Sequence, residues 1–344
     1  MKIIPYARQY IDKADISEVS KALKKNFITQ GPTIEKFENK ISKLTTSKFA
    51  VAANSATSLL HISCLALGLK KGDYLWTTAN SYLASATCAL HCGAKVDFID
   101  IDDKDFNLSI EYLKKKLIKA KINKKLPKII IPVSLGGAPY EMKELKKLSI
   151  KYKFKIIEDA SHSIGAYYDD KPVGSNKYSD ITIFSFHAVK IITTGEGGMA
   201  TTNSYEVYKH LKLLRNQGVT RDLKDFKIKK NPSWYYEQKY LCLNYRMTDF
   251  QAALGLSQIK KIKKFINKRN AIANIYKKNL ENLPLDCQYV SKNKRSSYHL
   301  FIANLKCKNS KKIRNQLYNY LKKKGIICNL HYIPIYKHPY FKRF

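Results

Sequence analysis

Three groups of residues in this sequence have types and spacing that could do chemistry together. Lys190 stands in "FSFHAVKIITTGEGG" (184–198), between an aromatic, β-prone run and a glycine cluster. Asp159 closes the apolar run "KIIED", with His162 three residues on, and Ser185 and His187 follow the run "DITIF". "NSATS" (54–58) joins a strand-like run to a helix-like one. A lysine amine beside a pocket becomes a nucleophile when its pKa is depressed. A carboxylate at the end of an apolar strand is costly unless a cation partners it. The free N–H groups and dipole of a helix start favour a phosphate. A lysine, an acid and a phosphate cradle together are what pyridoxal phosphate (PLP) requires.

Each piece has a plainer reading alone. Asp159 could be a cap or salt-bridge residue, Lys190 a surface charge, and His162 a satisfied core histidine. "GEGG" lacks the GK[ST] ending of a P-loop and reads as a turn feeding the strand "GGMATT". Their joint placement on the ends of neighbouring strands outweighs these separate readings, because open parallel sheets bind ligands beyond the carboxyl ends of their strands.

The elements that must position these residues alternate along the chain. "KFAVAAN", "DYLWTTA", "AKVDFIDID", "PKIIIPVSL", "FKIIEDA", "SDITIFSFH" and "GGMATTN" read as strands, several as near-continuous apolar runs buried on both faces. "SATSLLHISCLALGL", "SYLASATCALHCG", "PYEMKELKKLSIKY" and "YEVYKHLKLLRNQG" read as helices between them. This order predicts an α/β fold with a mostly parallel sheet sandwiched by helices. After about residue 220 a polar, aromatic loop is expected, then one long helix over "MTDFQAALGLSQIKKIKKFINKRNAIANIYKKNL". A strand ("SSYHLFIANL"), a helix ("KKIRNQLYNYLKKKG") and a strand ("IICNLHYIPIY") complete a smaller α+β domain. The division expected is 1–240 for the large domain with its N-terminal arm and 241–344 for the small one.

Composition narrows the partners. The 344 residues carry 63 Lys+Arg against 27 Asp+Glu, a formal net charge of +36. The lysines are spread over nearly every helix-like stretch with abundant Ile, Asn and Tyr, and no RNA- or DNA-binding signature accompanies them, so no nucleic-acid partner is expected. A basic field does favour an anionic small substrate. Seven cysteines without a C-x-x-C pair indicate reduced thiols rather than a zinc site, which suits a reducing cytoplasm. No apolar run approaches membrane-spanning length and the first residues, "MKIIPYARQY", lack an apolar signal core. A cytoplasmic protein without membrane association is expected.

The quoted segments resemble a known family, the sugar-nucleotide aminotransferases of the DegT–StrS group, which are fold type I PLP enzymes. The carriers are "TQGPTIEKFE" (29–38), "NSATSLLH" (54–61), "IIEDASHSIGAYYDDKPVGS" (156–175), "FSFHAVKIITTGEGGMATTN" (184–203), "NYRMTDFQAALGLSQIKKI" (244–262) and "HYIPIY" (331–336). Within the family the match is to the pseudaminic acid branch, whose enzymes aminate C4 of UDP-2-acetamido-2,6-dideoxy-β-L-arabino-hex-4-ulose with glutamate as donor. Bacillosamine-type, dTDP-sugar and UDP-4-amino-arabinose-type aminotransferases are the alternatives. A non-catalytic regulator or binding protein on the same fold is the alternative of another class.

The resemblance implies that Lys190 is the covalent lysine and proton shuttle, that Asp159 pairs with the pyridine nitrogen, and that His162 lies near the cofactor's phenolic oxygen. Ser185 and the backbone at Ser55 and Ala56 would bind phosphate, and Tyr82 would stack on the ring. Asn244 would reach the neighbouring subunit's phosphate, which implies a homodimer with shared sites. Tyr6, Asn26, Phe27, Ile28, Thr29, Asn329, Leu330, His331 and Tyr332 match stretches lining the sugar-nucleotide pocket, to which Ala56, Ser185 and Asn244 also contribute. The resemblance also implies a small domain that is short of its last elements, since relatives continue beyond "HPYFKRF".

Overall fold

A computed structural model describes residues 3–228 and 232–343. Its centre is a seven-stranded sheet built from β1 (Phe49–Ala53), β2 (Tyr74–Thr78), β3 (Lys95–Ile99), β4 (Ile129–Ile131), β5 (Lys155–Asp159), β6 (Ile181–Ser185) and β7 (Gly198–Thr202). The strands lie in the order β1-β7-β6-β5-β4-β2-β3, and only β7 runs against its neighbours.

Strand alternation divides the core into two layers. Ile130, Ile156, Phe184 and Met199 point to one face, where they meet Phe37, Leu113 and Leu145. Those three come from the helices α2 (Pro32–Thr45), α5 (Ile110–Ile122) and α6 (Met142–Tyr152). Ile129, Ile131, Ile157, Ile183 and Ala200 point to the other face. There they pack on Leu59, Cys88 and Leu211 from α3 (Ala56–Ala66), α4 (Ala84–His91) and α7 (Tyr205–Arg215). Side chains buried on both faces explain why these strands read as unbroken apolar runs.

Register brings the chemistry-bearing ends together. In the parallel pair β5–β6, Asp159 lies opposite Ile183, so both strands stop at the same edge. In the antiparallel pairs, Gly198 opposes Ser185 of β6 on one side and Ala53 of β1 on the other. The ends of β5 and β6, the start of β7 and the turn from β1 into α3 therefore share one rim of the sheet.

The helix expected over 247–280 is two helices. α8 (Asp249–Ile259) packs on α1 (Lys13–Leu23) and α2, and α9 (Ile262–Leu280) leaves at Lys260–Lys261. The reason is polar. Gln258 Nε2 and Lys261 Nζ both donate to Asp15 Oδ2, at 2.7 and 2.8 Å, beneath the N-terminus of α1. Holding both on the one buried carboxylate fixes where the helix turns away.

The stretch "SSYHLFIANL" yields only β9 (Ala303–Leu305), paired with β8 (Leu285–Cys287). α10 (Ser310–Lys323) follows as expected. "IICNLHYIPIY" forms no strand: it makes one bridge, Ile326 to Ile4, and then runs irregularly into a 3-10 turn at Ile335–Lys337. The segment instead holds itself by Tyr332 N–H donating to Asn80 Oδ1 at 2.7 Å and Ile335 N–H to Ala79 O at 2.9 Å. Residues 229–231 of the expected loop lie outside the described residues. No helix among the described residues is long and apolar enough to cross a membrane.

Candidate active site

Lys190 stands on a loop that closes on itself. Phe186 N–H donates to Gly197 O at 2.8 Å and Thr194 N–H to Phe186 O at 2.9 Å, pinching the base where β6 passes into β7. Gly195, at φ +79°, takes the left-handed turn, and its N–H donates to Thr193 Oγ1 at 2.9 Å. The glycines and threonines after Lys190 are thus the fastening of a tight loop that aims one amine at the sheet rim. Burial pushes the Lys190 amine down to about 8, with the Asp159 carboxylate acting in the opposite direction. At neutral pH a useful fraction of an ordinary lysine so placed is unprotonated.

Asp159 is buried, and its two oxygens accept from neutral donors rather than from a cation. Ser85 Oγ of α4 donates to Oδ2 at 2.7 Å, and Ser161 N–H donates to Oδ1 at 3.1 Å. Two fixed oxygens on a buried carboxylate are suited to a cationic N–H brought by a ligand.

His162 is also buried, and its tautomer follows from its partner. Gly136 N–H donates to Nδ1 at 3.3 Å, so the ring accepts there and carries its proton on Nε2. Burial, then the charges of Lys190, His299 and His331, holds it well below the usual imidazole range. The ring lies 4.5 Å from that of His299, which is likewise pushed down, by burial first and then by Lys190 and Arg269. A neutral His162 offers one N–H donor to the pocket.

The phosphate-type cradle is at the start of α3. Ser55 caps the helix, its Oγ accepting from Ser58 N–H at 3.1 Å. The first helical N–H groups, those of Ala56 and Thr57, have no intrahelical acceptor by construction. Gly198 faces them so closely that a Cβ there would stand 2.7 Å from Ala56 N and 2.8 Å from the Ser55 carbonyl carbon. Only a residue without a side chain lets β7 come this near, and Ser185 opposes that glycine in the sheet.

Above the rim the N-terminal arm meets the segment 329–332. Tyr6 OH and His331 Nε2 are 2.9 Å apart, and their rings stack at 5.4 Å. Burial pushes the Tyr6 hydroxyl up to about 12, Arg269 opposing. Burial, with Asp159, Tyr6 and Tyr82 adding to it, raises Tyr332 beyond the ordinary phenol range. Both therefore stay hydroxyl donors at working pH. Tyr82 is largely exposed, its ring 6.3 Å from that of Tyr332.

The sequence matches the DegT/DnrJ/EryC1/StrS aminotransferase family over residues 9–344. The chain belongs to this family. The UDP-4-amino-4,6-dideoxy-N-acetyl-beta-L-altrosamine transaminase of Campylobacter jejuni is 36% identical over 346 residues, covering 99% of this chain and 86% of that protein. Helicobacter pylori PseC, an aminotransferase involved in the biosynthesis of pseudoaminic acid, superposes with a TM-score of 0.90 at 29% identity, over 100% of this chain and 88% of that one. Spr1654 of Streptococcus pneumoniae, solved in a PLP form, superposes with a TM-score of 0.88 at 28% identity, over 99% and 88%.

As a DegT/StrS-type aminotransferase the protein uses PLP, and the residues present fit it. A partly neutral lysine, a buried carboxylate that no cation among the described residues hydrogen-bonds, a neutral imidazole N–H and the helix start facing Gly198 would suit its aldehyde, ring nitrogen, phenolic oxygen and phosphate.

The structure gathers Lys190, Asp159, His162, Ser185, Ser55, Ala56, Tyr6, His331, Tyr332 and Tyr82 around this rim. Asn329 and Leu330 continue the same segment on its exposed side. The run Asn26–Thr29 is exposed, and Asn244 stands next to Tyr245, whose carbonyl accepts from Asn54 N–H at 2.9 Å beside the cradle. Asn244 is exposed, bridged to Asn216, and accepts from Arg246 N–H at 3.2 Å. Thr29 is bridged to Thr248, and Asp249 accepts from Gly31 N–H at 2.7 Å and Thr33 N–H at 3.0 Å.

Sequence reasoning missed Ser85, Gly198 and His299. Ser85 carried a faint signal, a hydroxyl on the buried side of the apolar helix "ASATCALH". Gly198 was legible only as part of a glycine pair, and the buried Nδ1 of His299, without a hydrogen-bond partner among the described residues, had no local signature.

Proposed function

We propose that the protein transfers the amino group of L-glutamate to C4 of UDP-2-acetamido-2,6-dideoxy-β-L-arabino-hex-4-ulose, giving UDP-4-amino-4,6-dideoxy-N-acetyl-β-L-altrosamine for pseudaminic acid biosynthesis. The observation that carries the substrate reading is the junction of Tyr6 with His331–Tyr332 directly over the Lys190 rim. Support comes also from the activity of the C. jejuni relative, a UDP-4-amino-4,6-dideoxy-N-acetyl-beta-L-altrosamine transaminase. The net charge of +36 suits a ligand bearing a diphosphate.

In this reading PLP, when bound, supplies the electron sink that lets a C–H proton move. Lys190 would hold it, and the Lys190 amine would be the group that holds a proton and delivers it to one face of C4. The position of that amine relative to the sugar plane sets the configuration of the product. Asp159 keeps the ring nitrogen protonated, with Ser85 holding the carboxylate in place. His162 Nε2–H donates toward the phenolic oxygen, and Ser55, Ala56 and Ser185 bind the phosphate. Tyr82 would be the aromatic that stacks on the cofactor. Tyr6, His331 and Tyr332 donate to the sugar nucleotide, with Asn329 and Leu330 beside them. Asn244 and Asn26–Thr29, exposed on their own chain, complete the site of a second copy, so the working unit is a homodimer, placed in the cytoplasm.

The test is an epimer comparison with glutamate as donor and product configuration read by NMR. The L-arabino sugar should turn over at least about 10-fold faster than the D-xylo epimer, equal to roughly 1.4 kcal/mol of differential transition-state binding. Equal or reversed preference would move the enzyme to the bacillosamine-type reading, and a preference for dTDP sugars to that branch.

A further inference from the structure

The turn 296–300, between β8 and β9, is fastened to the backbone around His162. Ser297 N–H donates to Gly137 O and Leu300 N–H to Gly136 O, each at 3.1 Å, and Ser297 Oγ donates to the carbonyl of His162 itself at 2.8 Å. The fit leaves no room at Gly137, where a Cβ would stand 2.6 Å from Ser297 Oγ and 3.0 Å from His299 N. Within the turn Tyr298 takes a left-handed conformation, φ +45°, which is costly for a bulky side chain. Arg269 of α9 holds it there: its Nη1 donates to the carbonyls of both Tyr298 and His299 at 3.1 Å. Strain of this kind persists only where the surroundings over-determine it. The side chain so presented to His162 is that of His299, its ring 4.5 Å away and buried.

We propose that His299 is the positioning residue for His162: its ring packs on the imidazole and fixes the direction of the Nε2–H bond. This rests on the role given above to His162, donation to the phenolic oxygen of PLP. The hydrogen bond that selects the tautomer, Gly136 N–H to His162 Nδ1, is long at 3.3 Å. A bond of that length chooses which nitrogen carries the proton but holds the ring weakly. Contact with a second ring supplies the missing constraint. Nδ1 of His299 is itself buried without a hydrogen-bond partner among the described residues. A nitrogen left so costs stability, so what His299 gives the site is packing rather than a bond from that atom. Gly136 joins the two parts, giving its N–H to the His162 ring and its carbonyl to Leu300. Ring, glycine pair and turn are therefore one body, and Arg269 ties that body to α9.

The test uses PLP-loaded protein with isotope-labelled histidines and reads the ring nitrogens of His162 by NMR, assigned through His162→Gln. The wild type should show a single tautomer with the proton on Nε2. In His299→Ala the packing is lost, and both nitrogens should shift toward the average of the two tautomers. His299→Phe, which returns a ring without its nitrogens, should restore the wild-type pattern. Arg269→Met leaves His299 in place but frees its turn, and should move the His162 signals the same way as His299→Ala; it decides the matter if the alanine variant fails to fold. The absorbance maximum of the bound cofactor is read alongside. His162→Gln and His299→Ala should displace it in the same direction, and His299→Phe should leave it in place. An unchanged His162 tautomer in His299→Ala and Arg269→Met overturns the proposal, as does an equal shift in His299→Phe. A cofactor band unmoved in His162→Gln overturns the role of His162 itself; a band that moves there but not in His299→Ala overturns the positioning alone.

Discussion

Asp159 shows at the scale of one residue how the site works: its position costs stability unless a cation arrives. Ser85 and Ser161 fix its oxygens but bring no positive charge. Asp159→Asn keeps the shape and the Ser85 contact while removing the charge that holds a ring nitrogen protonated. That variant should still bind PLP, and its kcat should fall at least about 100-fold, near 3 kcal/mol in the barrier. Near-normal kcat in steady-state assays would remove Asp159 from this role. Asp159, His162 and Lys190 were legible in the sequence because each follows a strand-like apolar run, and strand ends share a rim. Ser85 and His299 were not, because their partners lie far along the chain: Ser85 is bonded to Asp159, and His299 faces His162. No local pattern encodes such pairings.

At the scale of elements, the start of β7 and the start of α3 must nearly touch. Gly198→Ala puts a methyl 2.7 Å from Ala56 N, between backbone groups that cannot swing aside. The cradle should be displaced, weakening PLP affinity at least about tenfold, or ~1.4 kcal/mol; titration of the cofactor absorbance into the depleted protein measures it. Unchanged affinity would mean the phosphate lies elsewhere. The strands and helices of the sheet were legible because burial on two faces leaves an apolar run and caps mark the helix starts. The break at Lys260–Lys261 was not, since apolar spacing continues through it and its cause is Asp15, some 240 residues earlier. The run "IICNLHYIPIY" has strand-forming residues, yet it finds side-chain and loop partners at Asn80 and Ala79 instead of a ladder.

At the scale of the whole molecule, one chain gathers the lysine, the acid and the cradle, while Asn244 is exposed on the surface of that chain. If Asn244 serves a second copy's site, Lys190→Ala and Asn244→Ala are each inactive alone. Mixed after dissociation and reassociation in equal amounts, they should recover up to about a quarter of wild-type specific activity through hybrid dimers with one intact site. A monomer that is active, by light scattering and assay at one concentration, contradicts this. The central claim is that Lys190, alone among so many lysines, carries the cofactor. Borohydride reduction of the PLP-loaded protein followed by peptide mapping tests it most directly. A single pyridoxyl-modified peptide, the one containing Lys190, is expected; modification of another lysine in its place, or no covalent adduct in turning-over enzyme, would contradict the assignment.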